Sequence, residues 1–440
     1  MTNLDPITGQ KFTPANSKFG RGLVKPDKNN FAPRVGLAYQ LTPKTVVRAG
    51  YGRFYMLFER AGSEDQLALN LPYLVNNVVA VGNNNNITAN NIRLQTGFNL
   101  SLDPSAVNPI TVRLRAVNPD SVDPSIDQWN IGIQRLLPGN MVATLDYVGT
   151  KGTHLSTLRN LNQQLFNANG IGTNVLPYPN LGPIEYRDNG GNSNYHGGEL
   201  TLEKRFSRGL SFRAAYTFSK SIDESQEHLA AGGTGSFTQN SYNRGERRGP
   251  SDFDVRHRLA TSYIYELPLG RGRSYFNEGA VSHILGGWRI SGTSSIRTGR
   301  PFTVRAGSND SAIGGDRGGG LVSAWADCLR DGTLPESERS IDRWFDTTAY
   351  AQPTPQNRLG TCGRNTLRGP GIVNFDFALA RTFNYFGEGR GLELRWEMFN
   401  MFNTPQFGLP ERNINSSSRG VITSLAGDPR VMQFALKFKF

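Results

Sequence analysis

No stretch of this 440-residue sequence approaches the roughly 18–20 consecutive apolar residues that a bilayer-spanning helix needs, so helical membrane spans are excluded. Cysteine occurs twice, at Cys328 and Cys362, 34 positions apart. That spacing fits no zinc or redox motif, and an even pair favours one disulfide in an oxidising compartment. The five histidines include no His-Glu-x-x-His pattern. Lysine supplies only 10 of the 48 basic residues and leaves 38 arginines, dispersed rather than clustered, which argues against nucleic acid as a partner despite a net charge of +12. Charged residues make up 19% and aromatics 10%, an unsuitable composition for a disordered chain. The first 22 residues have no basic start followed by an apolar run, so they are not a signal peptide. Either the mature protein is cytoplasmic or the chain begins partway through a longer one.

Glycine is abundant, at 50 residues, with 24 prolines beside it and no collagen-like period, which points to many turns and short strands. Alternation with period 2 runs from end to end. In the last nine residues Met432, Phe434, Leu436, Phe438 and Phe440 alternate with Gln433, Ala435, Lys437 and Lys439. Leu210, Phe212, Ala214, Tyr216 and Phe218 likewise alternate with Ser211, Arg213, Ala215, Thr217 and Ser219. A strand sorts such residues onto two faces, whereas a helix scatters them. The pattern predicts eleven strands, near 31–41, 45–55, 128–136, 141–149, 196–205, 210–220, 257–267, 287–297, 372–382, 391–402 and 430–440.

Short links at 42–44, 137–140 and 207–209 alternate with long ones at 56–127, 150–195, 221–256, 298–371 and 403–429; the links at 268–286 and 383–390 fall on the short side. A soluble sandwich has no reason to gather its long loops at one end. Outer-membrane barrels do, with short periplasmic turns, long external loops and an apolar outer face. Trp129, Tyr147, Tyr216, Tyr263, Tyr265 and Trp288 all fall on the apolar parity, as interfacial aromatics should. If the last strand runs inward, alternation makes the first run inward too. An odd, eleven-stranded set cannot close on itself by antiparallel pairing, so the expected fold is an all-β transmembrane antiparallel barrel of which this chain is one half. Residues 1–30, polar and rich in Gly, Pro and Asn, read as the tail of an external loop, and 31–440 as the barrel part.

Several runs resemble the Oar-like TonB-dependent transporters: Asn30-Phe31-Ala32-Pro33-Arg34-Val35-Gly36, Tyr147-Val148-Gly149-Thr150-Lys151-Gly152-Thr153-His154-Leu155, Ala214 through Asp223, Asp252-Phe253-Asp254-Val255-Arg256-His257-Arg258, Leu367-Arg368-Gly369-Pro370-Gly371 and Phe399-Asn400-Met401-Phe402-Asn403, with a terminal Phe440. They follow family order over nearly the whole chain. The resemblance implies a 22-stranded barrel around an amino-terminal plug, often preceded by a carboxypeptidase-regulatory-like domain. This chain would be its carboxy-terminal half, with the plug domain, the TonB box and the secretion signal absent. It also implies a bacterial outer-membrane location and uptake of a bulky nutrient once the plug and first half are joined. The implied partners are outer-membrane lipid and lipopolysaccharide, the missing segments, TonB only through the plug, and the barrel-assembly machinery. That machinery would read Met432, Phe434, Leu436, Phe438 and Phe440.

No enzyme or cofactor signature emerges. Asp252, Asp254 and His257 lie close enough to suggest a metal or acid–base group, but a loop-to-strand junction with Arg256 and Arg258 as charge partners is the preferred reading. Gly232–Gly235 and Gly318–Gly320 lack a phosphate-loop context and read, with the asparagine run 83–86, as external loop. Arg34, Arg48, Arg213, Arg258, Arg289 and Arg297 fall on the polar parity and so face the expected lumen. They are expected to pair with Glu199, Glu203, Glu266, Glu393 and Glu397 on neighbouring strands or with the plug; otherwise they would favour anionic solutes. Two further readings remain open: a structural or adhesive outer-membrane barrel, and a secreted soluble β-protein that binds or hydrolyses carbohydrate.

Overall fold

The computed structural model describes residues 1–56, 66–73, 103, 105, 107–224, 239–314, 322–383 and 391–439. The glycine runs at 232–235 and 318–320, the asparagine run at 83–86 and Phe440 lie outside them.

Eleven long strands form one continuous antiparallel meander: β1 (Arg34–Thr42), β2 (Thr45–Tyr55), β3 (Ser125–Leu137), β4 (Met141–Asn160), β5 (Ile184–Ser207), β6 (Leu210–Asp223), β7 (His257–Glu266), β8 (Trp288–Arg297), β9 (Ile372–Phe383), β10 (Gly391–Phe399) and β11 (Val431–Lys439). Each pairs with its sequence neighbours, and β1 and β11 each pair on one side only among the described residues. The sheet is therefore open, as an incomplete barrel wall must be.

Register shows why this is a membrane wall. One row of directly opposed residues crosses nine strands: Tyr39, Val47, Ile133, Leu145, Leu200, Tyr216, Leu259, Ile296 and Val373. A second row, Leu210, Tyr265, Ile290, Leu379, Trp396 and Phe434, carries the same face to β11. These side chains are not packed under another layer: Val35, Leu37, Tyr39 and Leu41 are 57–70% exposed and Phe434 is 72% exposed. A soluble sandwich buries such a face against a second sheet. In the bilayer, lipid covers it. The opposite face reads Arg48, Gly132, Asp146, Glu199, Thr217, Arg258 and Arg297 along one row, a polar lining.

Buried apolar clusters are found beyond the external strand ends. Phe302, Val304, Ala326, Phe345, Tyr350 and Leu367 form one within the β8–β9 connection. Leu4, Leu114, Ala116, Leu161, Ile184 and Tyr186 form another, which joins the first residues of the chain to the connections around β3, β4 and β5. β4 and β5 run to 20 and 24 residues, about twice the 9–11 that span a bilayer. Much of the link expected at 150–195 is thus strand. The extra length projects into water and into the loop cap, where no lipid imposes alternation, so its sequence (Thr150 to Asn160, Asp188 to Tyr195) does not look like a strand.

Aromatic side chains mark the external edge of the apolar band. The Trp129 ring lies where a Cβ on Gly149 would come within 2.2 Å of it, so the glycine makes room for the indole. His196 stacks on Tyr147 and shares a 2.7 Å hydrogen bond between its Nδ1 and the tyrosine hydroxyl. His257 Nδ1 shares a 2.8 Å hydrogen bond with the Tyr216 hydroxyl, its ring tilted against the tyrosine.

Candidate functional site

Three of the sequence runs singled out above converge on one buried polar junction between the wall and the external cap. The end of β6, the 249–256 segment and the 364–371 segment meet there. Arg364, whose side chain is 4% exposed, forms an ion pair with Asp223, donates to the Asp223 and Arg247 carbonyls at 3.0 and 3.1 Å, and reaches Asp252 at 3.5 Å. Asn365 Nδ2 donates to Pro250 O at 2.7 Å and to Asp252 Oδ1 at 2.5 Å. Asp254 pairs with Arg368 and accepts from the Ser221 amide at 2.6 Å. Arg368 also donates to Gly299 O at 3.1 Å.

The cluster of Asp252, Asp254 and His257 is therefore a loop-to-strand junction, but its charge partners differ from expectation. Arg364 and Arg368, from the β8–β9 connection, pair with the aspartates. Arg256 instead lies over the Phe218 ring at 5.8 Å, and Arg258 sits on the polar face opposite Thr217 and Arg297. Partners more than 100 residues away leave no local spacing to read. Gly299 and Gly369 allow the two ends of the β8–β9 connection to approach: a Cβ on Gly299 would lie 1.7 Å from Gly369 O. Gly299→Ala should therefore force a backbone shift and lower the stability of the cap by about 1–3 kcal/mol. Thermal unfolding against the parent protein measures it.

A second junction holds β4 and β5. Asp188, 1% exposed, accepts from Thr157, from Arg159 Nε at 3.0 Å and from Arg244 Nη2 at 3.1 Å. Beside it, burial pushes the Arg247 guanidinium down to about 10, against the pull of Asp188. The run Asn160 to Gln164 is almost wholly buried and works as an amide staple. Asn162 Nδ2 donates to the carbonyls of Tyr178, Leu181 and Gly182 within 3.0 Å. Gln163 donates to Gln239 O at 2.7 Å and Ile313 O at 3.1 Å and accepts from the Ser241 amide at 2.8 Å. Sequence reading missed these amides because four polar residues around one leucine look like solvated loop. The one signal available was a run of amides with no charge among them.

Cys328 and Cys362 are joined by a disulfide, with Cα atoms 4.9 Å apart, inside the Phe302–Phe345 cluster. The 404–428 segment is stitched to the same body: Arg305 N donates to Arg412 O, Ile414 N to Arg305 O and Trp344 N to Gly420 O, each at 2.9 Å. Loss of the 34-residue crosslink should cost the cap about 3–4 kcal/mol on chain-entropy grounds. Reduced protein, or Cys328→Ser, should be cut earlier within 298–371 by a protease while the strands stay intact. Unreduced protein should titrate no thiol.

On the polar face a concavity of about 530 Å³ includes Glu203, Arg213, Ser262, Thr293, Asp376 and Glu397 in its lining. Arg213 stands directly opposite Glu203 and Arg289 directly opposite Glu266. Among the described residues, however, the carboxylates take other partners: Glu393 and Glu397 pair with Arg395, and Glu266 pairs with Arg273 at 2.8 Å. None of Arg34, Arg48, Arg213, Arg258, Arg289 and Arg297 is in an ion pair there; Arg34 lies over the Phe54 ring at 4.8 Å. No group of three or more His, Cys, Asp or Glu that could hold a metal occurs among the described residues. The concavity offers a solute hydrogen-bonding groups and charges of both signs.

On β11, Met432, Phe434, Leu436 and Phe438 stand opposite Met398, Trp396, Leu394 and Leu392 of β10, and Phe434 stacks on Trp396 at 5.8 Å. These four belong to the apolar face; Phe440, expected to complete the pattern, is outside the described residues.

A search of curated proteins finds no match. Among solved structures the chain is similar to the outer-membrane transporter YddB from Escherichia coli (12% identity, TM-score 0.47, covering 93% of this chain and 41% of that one). It is also similar to BauA, the ferric preacinetobactin receptor from Acinetobacter baumannii (11% identity, TM-score 0.43, 93% and 36%). The chain spans less than half the length of either. The model of the outer membrane beta barrel domain family matches residues 1–433, and with its lipid-facing apolar wall the chain belongs to that family and to the bacterial outer membrane.

Proposed function

We propose that this chain is the carboxy-terminal half of the barrel of an Oar-like TonB-dependent transporter, which takes up a bulky nutrient when joined to a plug and an amino-terminal half. The observation that carries this reading is the odd set of long strands whose two edges are unpaired among the described residues. By alternation β1 and β11 both run inward. A second copy would present two more inward-running edges and could form only parallel seams. A segment whose first and last strands both run outward closes the wall antiparallel, and an eleven-stranded amino-terminal half is such a segment. The polar inner face would meet the plug, and the stapled external cap would recognise the ligand. Energy coupling would pass from TonB to the plug. The terminal apolar face of β11 would be read by the barrel-assembly machinery.

Cysteines introduced together at Ala38 of β1 and Ala435 of β11 test closure. The proposal expects no intrachain bridge between them and a crosslink from each to the complementary segment when that segment is present. A bridge formed within one chain contradicts it. Uptake by cells with the complete assembly should vanish when TonB is deleted.

A further inference from the structure

We infer that the connection between β7 and β8 is a membrane-interface anchor, with its short helix α1 (Gly279–Leu285) lying against phospholipid of the periplasmic leaflet. This connection is on the short-turn side of the wall, yet it is far longer than the turns at 42–45 and 207–210 beside it. Its extra residues present apolar surface to the outside. Val281 and Ile284, three apart and so on one helix face, are 48% and 64% exposed, while Ser282 between them is buried. Tyr275 and Phe276 are 62% and 60% exposed. A turn surrounded only by water has no reason to display four such side chains.

The occupant is fixed by the side of the wall that holds the helix. Trp288 and Arg381 are directly opposed on the lipid-facing parity, one step beyond Ile290 and Leu379. Trp288 Nε1 donates to Ile284 O at 3.2 Å, and Arg381 donates to Ile284 O at 2.7 Å and to His283 O. The Arg381 guanidinium also lies over the Phe383 ring at 4.2 Å and the Trp288 ring at 5.6 Å. Two residues of the lipid face thus bind the last carbonyls of α1, which places the helix outside the barrel and continuous with the apolar band. Arg381 keeps its stem along that band and its charge at the rim, the snorkelling posture of interfacial cations. The start of the connection is held elsewhere, with Arg273 paired to Glu266 on the polar face at 2.8 Å. The lipid contact therefore belongs to the residues after Arg273, whose apolar side chains would reach the acyl boundary of a phospholipid layer.

Single cysteines at Val281, Ile284, His283 and, as a reference, Leu145 provide the test. The full chain, in the outer membrane of cells that make it, is labelled without reductant with an environment-sensitive fluorophore. Quenching is then compared among a lipid with a nitroxide headgroup, a lipid with a nitroxide on the middle of its acyl chain (the quencher read at Leu145) and aqueous iodide. Labels at 281 and 284 should be quenched several-fold more by the nitroxide lipid than the label at 283, which should respond to iodide. Iodide quenching at 281 and 284 equal to that at 283, with Leu145 still quenched by lipid, overturns the anchor alone. Loss of lipid quenching at Leu145 as well overturns the membrane wall with it. The transport reading is untouched by the first outcome.

Discussion

Arg364→Ala should release the external cap from the wall. Arg364 and Asp223 are 4% and 6% exposed at the side chain, and Arg364 also binds Asp252 and two carbonyls. Truncation leaves the Asp223 carboxylate buried without its cation, a loss of about 3–5 kcal/mol. If cleavage follows the population of the opened cap, proteolysis within 298–371 should rise by about two to four orders of magnitude. The lower wall has its own ladder of paired strands, and any heat-dependent shift in gel mobility shown by the parent protein should be the same in the variant. In the double variant Arg364→Met with Asp223→Asn the stranded charge is gone, so part of the loss should be recovered. An unchanged cleavage rate in Arg364→Ala would mean that the junction contributes little to holding the cap.

Leu145→Arg should be the most damaging substitution in the wall. Leu145 lies midway between Met141 and Gly149 on β4, opposite Ile133 and Leu200, and is 55% exposed on the face assigned to lipid. A cationic side chain at mid-depth on that face costs about 2–4 kcal/mol. Its neighbour Thr144 points to the polar face between Gln134 and Thr201. Thr144→Arg should leave stability within about 0.5 kcal/mol, since a surface substitution without special contacts rarely does more. Denaturant unfolding from bilayers gives both values, and equal losses for the two variants would contradict the face assignment.

The eleven strands were legible because lipid on one side and water on the other impose period 2, and a nine-residue run such as Leu210 to Phe218 suffices to show it. The same reason explains where legibility ends. Above the membrane, β4 and β5 continue through Thr150 to Asn160 and Ile184 to Tyr195 without that constraint, and they read as loop. The aspartates at 252 and 254 were placed at a junction from their position beside a strand start, but their partners come from 112 and 114 residues further on. The buried amides from Asn160 to Gln164 obey no spacing rule, because each is fixed by carbonyls that the fold brings to it. The polar-face arginines were legible by parity alone. Their partners were not: Arg273 takes Glu266, which stands opposite Arg289, and Arg395 takes Glu393 and Glu397 on its own strand.

The central claim is that a chain with mean hydropathy of −0.44 forms a membrane wall with lipid on one face and water on the other. Nitroxide labels on single cysteines introduced from Val142 through Val148 test it most directly, because the two native cysteines are tied up in their disulfide. Accessibility to oxygen, which concentrates in lipid, should peak at positions 143, 145 and 147. Accessibility to a water-soluble nickel chelate should peak at 142, 144, 146 and 148, in opposite phase. Two profiles in phase, or nickel access as high at 145 as at 144, would contradict the account.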